Sequence, residues 1–574
     1  MSWEQVYEQW INEENIPENL KKELNDLKED PAKCEDAFYA PLEFGTAGMR
    51  GILGAGINRM NIFTIRQATE GLARFMDAEG ADTKKRGVAI AYDSRHMSPE
   101  FAMEAAKTLA QHGIPAFVFE SLRPTPELSF AVRYLNAFSG IMITASHNPA
   151  AYNGYKVYGA DGGQMPPADA DALTRFVREV ENPLKVEVLA DDQAKSSDLI
   201  TIIGAEVDDA YLKEIRSVTI NQELINEMGK ELKLVYTPLH GTGKMLGEKA
   251  LKQAGFEKFI LVPEQAIPDP DFTTVKSPNP EEHSAFEYAI RLGEKEGADL
   301  LIATDPDADR LGAAVRLPNG TYQVLTGNQL GSIMIQYILE AHKQAGTLPE
   351  NAVVLKSIVS SELATAITTK YNTKMVDVLT GFKFIAEKIE QYEEDHSQTF
   401  MFGFEESYGY LVKSFVRDKD AIQALVLLAE VAAFYKKQGK TLYDGLQGIF
   451  EEYGYFEEKT ISVTLSGIEG SEKIKALMKK FREEAPTSFA GFKVIQTEDF
   501  KEQTRTSAEK EVEALTTPPA DVLKYFLEDG SWIAIRPSGT EPKIKFYLAT
   551  KAVSRNEADQ KIKNFERAIN ALTE

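Results

Sequence analysis

Three stretches of this 574-residue chain repeat the order strand, helix, strand, although their sequences are not alike. Strands that alternate with helices are typical of layered α/β domains, in which the helices cover the faces of a sheet. The predicted elements are strands at 88–92 and 116–119 around a helix from Ser98, strands at 232–236 and 259–262 around a helix at 244–254, and strands at 353–355 and 375–379 around a helix at 362–370. We therefore predict three α/β units built alike.

The pattern changes after about Gly454. An alternating strand (459–465, KTISVTL) is followed by a helical stretch, two further strands and a closing helix at 556–572, which predicts a smaller α+β domain. A polar connector at 185–198 and a turn at Asn319 and Gly320 suggest the earlier boundaries. The predicted domains are 1–205, 206–320, 321–455 and 456–574.

Charge and composition exclude several classes of protein. The chain has 64 Lys and Arg against 88 Asp and Glu, a net charge of −24, which disfavours nucleic acid or an anionic membrane as partner. The single cysteine, Cys34, excludes an intrachain disulfide and a thiolate zinc cluster. Because the N-terminus is acidic and the most apolar stretch, 421–434, is too short to span a bilayer, we expect a cytoplasmic protein.

The first chemically suggestive segment is Thr144–Pro149 (TASHNP), directly after a predicted strand. Ser146, beside His147 and shortly before Lys156, is a candidate nucleophile or phosphoryl carrier. Taken alone, a turn whose polar side chains bond their own backbone is the favoured interpretation. The flanking residues lack the glycines of a G-x-S-x-G elbow, which argues against acyl hydrolysis.

The second segment is Asp305–Arg310 (DPDADR), which also follows an apolar strand. Three alternate carboxylates, Asp305, Asp307 and Asp309, supply hard oxygen ligands of the kind that Mg²⁺ prefers. An EF-hand does not fit, because its sixth position is occupied by Arg310 instead of glycine. Three solvated acids without a cation are disfavoured, because like charges so close together repel one another.

Two further loops follow or join strands. In 403–409 (GFEESYG), Glu405 and Ser407 are suited to binding sugar hydroxyls, although exposed acids in a glycine-bounded loop are the better interpretation of this motif alone. In 536–543 (RPSGTEPK), an arginine fork, two hydroxyls and a glycine suit a phosphate cradle, and a plain hairpin is an equal alternative.

Taken together and in this order, TASHNP, DPDADR, FEES and RPSGTEPK resemble the motifs of the α-D-phosphohexomutase family. The segments 45–50 (GTAGMR) and 380–383 (TGFK) match two more of its motifs, so the resemblance covers nearly the whole chain. It implies three similar mixed-sheet α/β domains and a C-terminal α+β domain around a central active-site cleft.

The resemblance also implies a mechanism. Ser146 would carry a phosphoryl group, and Asp305, Asp307, Asp309 and the phosphoserine would bind Mg²⁺. The group would pass to a sugar monophosphate, and the resulting bisphosphate would turn round in the cleft and rephosphorylate Ser146. The net reaction is an isomerisation without loss of phosphate to water.

The resemblance assigns the remaining roles. Lys156 is the first candidate for general acid or base, and Arg50, His147 and Arg310 would hold the transferring phosphoryl group. The expected substrate-binding residues are Thr380, Gly381, Lys383, Glu405, Ser407, Arg417, Lys419, Arg536, Ser538, Gly539 and Thr540. The 417–420 run (RDKD) has a solvated charge run as an equal alternative.

The substrate is expected to be glucose 1-phosphate or glucose 6-phosphate, with glucose 1,6-bisphosphate as intermediate and primer, because the chain is most similar to bacterial members acting on glucose. Mannose and pentose phosphates stay open, because Phe404 and Phe382 replace residues found in many relatives. A phosphatase with an aspartyl nucleophile and a non-enzymatic phosphosugar sensor are the alternatives from other classes. The cations Arg50, Lys156, Arg310, Lys383 and Arg536 are expected to converge in one positive cleft.

Overall fold

The computed structural model describes residues 2–45, 48–465, 467–538 and 543–573. The elements of the first domain are α1 Trp3–Ile11, α2 Glu18–Lys28, α3 Pro31–Phe38, β1 Gly48–Ile52, α4 Ile62–Glu79, α5 Ala81–Arg86, β2 Val88–Tyr92, α6 Ser98–Gln111, β3 Ala116–Phe119, α7 Thr125–Tyr134, β4 Ser139–Ile143, β5 Tyr152–Tyr158, α8 Pro167–Arg178, α9 Asp191–Lys195 and β6 Ile200–Ile203.

The first sheet is mixed, with the order β1-β5-β4-β2-β3-β6. Strands β4, β2, β3 and β6 run parallel, whereas β5 is antiparallel to both β4 and β1. Side chains on both faces are buried by helices, as in the core formed by Ile90 of β2, Leu72 of α4 and Leu109 of α6. The register places Arg50 of β1 opposite Gly154 of β5, which sets Arg50 beside the strand that carries Lys156.

The N-terminal helices α1 to α3 form a cap with an apolar core of its own. Trp10, Leu24 and Phe38 pack there against Phe63 of α4. Beyond α3, Asn58 donates to the Ala37 carbonyl, and Leu53 donates to the Ala151 carbonyl at the start of β5. The cap therefore supports the loop that links β1 to the rest of the first domain.

The elements of the second domain are α10 Ala205–Ile215, α11 Gln222–Met228, β7 Leu234–Thr237, α12 Gly243–Ala254, β8 Phe259–Leu261, α13 Glu287–Glu296, β9 Leu300–Thr304, β10 Leu311–Arg316 and β11 Tyr322–Val324. Its sheet has the order β11-β10-β9-β7-β8 and is again mixed. Because β11 pairs with β10, the boundary predicted at 320 cuts through a hairpin. We place the boundary after Val324 instead.

The elements of the third domain are α14 Gly327–Ala345, β12 Ala352–Ser357, α15 Glu362–Lys370, β13 Lys374–Val378, α16 Phe382–Asp395, β14 Thr399–Glu405, β15 Gly409–Leu411, α17 Ala421–Lys437 and α18 Leu442–Tyr453. Its sheet, β13-β12-β14-β15, is parallel except for β15. Helix α17 is buried on nearly all sides, which explains the apolar stretch at 421–434. No helix in the described part of the chain is both long and apolar enough to cross a membrane.

The elements of the fourth domain are β16 Tyr455–Thr464, α19 Gly467–Glu483, β17 Ser488–Phe489, β18 Phe492–Asp499, β19 Thr504–Ser507, β20 Val512–Ala514, β21 Leu523–Leu527, β22 Trp532–Pro537, β23 Lys543–Ala552 and α20 Arg555–Thr573. The strands form an antiparallel sheet, β16-β23-β22-β21-β18-β19-β20, with β17 paired to β18. Residues of α19 and α20, such as Met478 and Phe565, pack with Ile533 and Phe546 of the sheet in one core. This domain is therefore α+β, and the predicted fold class is confirmed.

Candidate active site

The Ser146 loop joins β4 to β5 and holds its serine in a left-handed backbone conformation, with φ at 52°. The Ser146 backbone N–H donates to Thr144 Oγ1 at 2.8 Å, which satisfies the amide within the turn. The buried Ser146 hydroxyl donates to Asp305 Oδ2 at 2.9 Å and lies 3.2 Å from His147 Nδ1. The turn is therefore held in part by a polar side chain that bonds its own backbone, as the alternative interpretation of this segment predicted. The Ser146 hydroxyl, however, points to Asp305 of the second domain.

The aspartate loop follows β9, and each of Asp305, Asp307 and Asp309 offers an oxygen within 4.8 Å of the other two. All three side chains are buried. Asp305 Oδ1 accepts from the backbone N–H groups of Asp309 and Arg310, whereas Asp307 Oδ1 and Asp309 Oδ1 have no hydrogen-bond partner. Orphaned buried carboxylate oxygens of this kind fit a divalent cation, and hard oxygen ligands fit Mg²⁺. Burial and the charges of Asp307 and Asp309 raise the pKa of Asp305 well above its usual range.

Two lysines from other domains contact the aspartate loop. Lys156 Nζ of β5 lies 2.8 Å from Asp307 Oδ2 and 3.6 Å from Asp309 Oδ2. Lys419 Nζ of the third domain lies 3.0 Å from Asp309 Oδ2. Burial would raise the pKa of Asp307, but Lys156 outweighs it and holds that pKa below its usual range. The first three domains thus meet at the carboxylate site.

Two arginines, Arg50 and Arg310, lie around the Ser146 loop and the aspartate loop. Arg50 Nη1 donates to Asn148 Oδ1 at 2.8 Å, and Arg310 Nη1 donates to Glu281 Oε1 at 2.8 Å. Burial, together with the charges of Arg310 and Arg50, lowers the pKa of His147 well below its usual range, so its imidazole is neutral near pH 7. The positive charges of Arg310 and Arg50 that act on His147 favour an anion at the same place, as the binding of a phosphoryl group requires.

The third domain brings two of the predicted substrate loops together. Glu405 Oε1 accepts from the Gly381 backbone N–H at 2.7 Å, which joins the FEES loop to the TGFK loop. Thr380 and Ser407 are half-buried. Lys383 Nζ lies 5.2 Å from the centre of the Phe384 ring, and the side chain lines a cavity of about 490 Å³ between residues 159–169 and α16.

Arg417, a predicted substrate-binding residue, contacts two glutamates of α16. Its side chain is buried, and Nη2 contacts Glu390 Oε2 at 2.9 Å and Glu393 Oε2 at 2.5 Å, both on α16. Its backbone N–H donates to Ser129 Oγ of the first domain at 2.9 Å. The guanidinium thus contacts α16 of its own domain, and the backbone N–H of Arg417 contacts the first domain.

The fourth domain contributes the RPSGTEPK loop between β22 and β23. Arg536 Nη1 donates to the Tyr547 hydroxyl at 3.3 Å, and the Ser538 N–H donates to the Lys543 carbonyl at 2.7 Å. Gly539 and Thr540 lie outside the described residues, as do Thr46 and Ala47 of the GTAGMR segment. Glu406, adjacent to Glu405, accepts from Ser357 Oγ at 2.8 Å. Burial raises the pKa of Glu406, and the charge of Arg536 in the fourth domain opposes that rise.

Several contacts at the site were not predicted from the sequence. Thr125, at the start of α7, donates through its backbone N–H to the Asp307 carbonyl and through Oγ1 to Asp307 Oδ2, at 2.9 and 2.8 Å. Asp93 and Arg95, in the YDSRH segment after β2, contact the Ser146 loop. Asp93 and Arg95 could have been predicted as site residues, because their segment lies at the carboxyl end of a strand. No feature of the sequence relates Thr125 to Asp307.

A buried serine hydroxyl, a carboxylate site for a divalent cation and convergent cations between similar α/β domains define a phosphoryl-transfer enzyme. Four family models agree with this class. Those described as phosphoglucomutase/phosphomannomutase alpha/beta/alpha domains I, II and III match residues 41–183, 209–319 and 326–453, and the C-terminal domain model matches 496–561. The chain belongs to the phosphoglucomutase/phosphomannomutase family, as its motifs predicted.

Individual relatives agree over nearly the full length. The chain is 42% identical to the phosphoglucomutase of Staphylococcus aureus strain USA300 over 557 residues, which cover 97% of each chain. Among solved structures, a putative phosphomannomutase from Thermus thermophilus is similar with a TM-score of 0.67 and 22% identity, covering 92% of this chain and 99% of that one. The phosphoglucomutase parafusin from Paramecium gives 0.68 and 17%, covering 93% and 95%. These two structures confirm the fold.

Proposed function

We propose that this protein interconverts α-D-glucose 1-phosphate and glucose 6-phosphate through a phosphoserine at Ser146 and a bound glucose 1,6-bisphosphate. The observation that carries the proposal is the 2.9 Å contact between Ser146 Oγ and Asp305 Oδ2, which places the hydroxyl at the edge of the carboxylate site. The phosphoglucomutase name of the Staphylococcus relative supports glucose as the sugar.

Asp305, Asp307 and Asp309, together with a phosphoserine oxygen, would hold Mg²⁺. When bound, the metal would neutralise charge on the transferring phosphoryl group. Arg50, Arg310 and the neutral His147 surround Ser146 and would hold the oxygens of that group.

In the first half-reaction, a sugar hydroxyl oxygen forms a bond to the phosphoserine phosphorus, and the bond from phosphorus to Ser146 Oγ breaks. Burial lowers the pKa of Lys156, but Asp307, whose Oδ2 lies 2.8 Å from Nζ, and Asp309 outweigh burial and raise it, so Lys156 starts as the ammonium. The ammonium would give its proton to Ser146 Oγ as that oxygen leaves, and the resulting amine would take the proton of the sugar hydroxyl, so that Lys156 serves as acid and base in both directions. In the second half-reaction the bisphosphate, turned round, returns its other phosphoryl group to Ser146.

The sugar and its remote phosphate need sites that serve both orientations. Glu405 and Ser407 would accept and donate hydrogen bonds to the hydroxyls. Lys419, whose Nζ lies 3.0 Å from Asp309 Oδ2, would be a further substrate contact. We assign the remaining substrate contacts to Thr380, Gly381, Lys383, Arg536, Ser538, Gly539 and Thr540. Because phosphorylated sugars carry charge and do not cross a lipid bilayer, we also propose that the enzyme acts in the cytoplasm.

An aspartyl phosphatase that uses the same loop is the competing function. It predicts phosphate release and survival of activity in Ser146→Ala, whereas the mutase predicts isomerisation without phosphate release. The test is one assay panel with Mg²⁺ and a glucose 1,6-bisphosphate primer, in which glucose, mannose and ribose 1-phosphates are compared at equal concentrations. Preference for mannose or ribose would overturn the sugar assignment, and phosphate release would overturn the mutase.

A further inference from the structure

A buried arginine, Arg95, binds backbone carbonyls of the Ser146 loop. Arg95 Nη2 donates to the carbonyls of Ser146 and Asn148 at 2.6 and 2.5 Å, and Nη1 donates to those of Pro149 and Tyr152 at 2.9 and 3.0 Å. One guanidinium therefore binds four carbonyls within seven residues of chain. Its side chain has no exposed surface, so these bonds are shielded from water.

Asp93 holds the arginine and reaches the other side of the loop. Its carboxylate lies 3.2 Å from Arg95 Nε and accepts from the Arg95 backbone N–H and from Ser98 Oγ. Asp93 Oδ2 also accepts from Thr144 Oγ1 at 2.7 Å, and Thr144 Oγ1 in turn accepts from the Ser146 N–H at 2.8 Å. The Ser146 amide and carbonyl are thus both tied to one buried ion pair.

The second domain closes the remaining face. The Phe272 ring lies 4.9 Å from the Arg95 guanidinium, and Ser277 Oγ donates to the His147 carbonyl. A serine with positive φ is held in an unfavourable conformation, which persists only where its surroundings fix it. Here the surroundings are Arg95, Asp93 and Thr144, and the result of that conformation is a hydroxyl directed at Asp305.

We propose that Arg95 and Asp93 are positioning residues for the nucleophile: they fix the backbone of the Ser146 loop so that Ser146 Oγ meets the aspartate site of the second domain. Neither side chain contacts the reacting atoms. The proposal rests on the proposed function, because it concerns the same serine, and it predicts a loss in the rate of phosphoryl transfer with little change in substrate binding.

The test uses the full-length protein with four substitutions. Arg95→Lys keeps the charge but cannot hold four carbonyls. Thr144→Val removes the hydroxyl that links Asp93 to the Ser146 amide, and Thr144→Ser retains it. Arg66→Lys is the control, because Arg66 lies in the same domain, pairs with Glu104 and packs on the Phe63 ring. For each protein, kcat and KM for glucose 1-phosphate are measured, with the rate at which glucose 1,6-bisphosphate phosphorylates Ser146, read by intact mass, and the thermal midpoint.

We expect Arg95→Lys to lower both kcat and the phosphorylation rate about 10²-fold, with KM nearly unchanged, because a nucleophile displaced by about 1 Å reacts that much more slowly. Arg66→Lys should keep the rates of the unaltered protein even if its thermal midpoint falls. Thr144→Val should lose about tenfold in kcat, the effect of one hydrogen bond, and Thr144→Ser should recover it.

Retention of kcat in a folded Arg95→Lys, or equal rates in Thr144→Val and Thr144→Ser, overturns the proposal. If Arg95→Lys does not fold, the Thr144 pair decides. If the unaltered protein itself is neither phosphorylated at Ser146 nor active, the proposed function fails first and the positioning role fails with it. Full rates in the variants beside an active unaltered protein refute the positioning role alone.

Discussion

Ser146 Oγ and Asp305 Oδ2 lie 2.9 Å apart, although 159 positions of sequence separate the two residues. The serine belongs to a loop of the first domain, and the aspartate follows a strand of the second. Neither domain alone contains both the nucleophile and the carboxylate site. The proposed phosphoryl transfer therefore requires that the first two domains keep this interface.

Removing the hydroxyl at this contact is the most direct prediction. We expect Ser146→Ala to lower mutase activity by about 10⁴-fold or more, since the proposed reaction carries the phosphoryl group on the Ser146 hydroxyl. The intact mass of the variant should show no phosphoryl group after incubation with glucose 1,6-bisphosphate. A variant that keeps its activity and releases phosphate would instead identify an aspartyl nucleophile.

Metal binding should stabilise the fold. Three buried carboxylates within 4.8 Å repel one another, and a cation that binds only the folded state stabilises it by about 2.7 kcal/mol at a hundred times its Kd. We expect the thermal midpoint to rise with Mg²⁺, to fall with a chelator, and to respond much less in Asp309→Asn. Asp299→Asn is the control, because Asp299 lies just before β9, the strand that leads into the aspartate loop, and pairs with Lys436 instead of joining the three aspartates. A midpoint indifferent to Mg²⁺ in the unaltered protein would refute the site.

Much of this architecture could be predicted from local sequence. The strands at 88–92 and 116–119 have the predicted bounds, because continuous apolar runs bounded by turns leave little choice of structure. Ser146 and the three aspartates could be selected because loops at the carboxyl ends of parallel strands form the ligand crevice of α/β sheets. Their roles came from the order of the motifs and not from any one of them.

Pairing over long distances could not be predicted in the same way. The 417–420 run shows no partner in the sequence, yet Arg417 pairs with two glutamates of α16, and Asp418 accepts from the Tyr158 hydroxyl at 2.8 Å. The three-residue strand β11 was missed because it has too few residues to display a period. The buried Arg95 donates to four backbone carbonyls. Because every residue has a backbone carbonyl, the residue types in the Ser146 loop do not predict this contact.

Two substitutions at Lys156 separate proton transfer from electrostatics. Lys156→Met removes the proton carrier and the charge that faces Asp307, whereas Lys156→Arg keeps the charge in a group that does not deprotonate. If Lys156 is the acid and base, both variants should lose about 10²- to 10⁴-fold in kcat. Steady-state kinetics at saturating Mg²⁺ measure this loss. Near-normal kcat in Lys156→Arg would reduce the role of Lys156 to charge alone.

Asp420, next to Lys419, should make stability depend on pH. Its buried carboxylate accepts from the Tyr211 hydroxyl and from the backbone N–H groups of Ile422 and Gln423 at the start of α17. Burial raises its pKa to about 6. Between about pH 4 and about pH 6 the folded protein therefore binds more protons at this site than the unfolded chain, and its contribution to stability falls as pH rises through that window.

Asp420→Asn should remove this dependence, because the amide oxygen can still accept from both N–H groups and the amide nitrogen can donate to the Tyr211 hydroxyl. The free energy of unfolding, measured by denaturant titration, should favour the unaltered protein most at the acid end of the window. Relative to the variant, the unaltered protein should lose up to about 3 kcal/mol by pH 7. A difference between the two proteins that does not change with pH would show that the Asp420 carboxyl is already ionised at the acid end of the window.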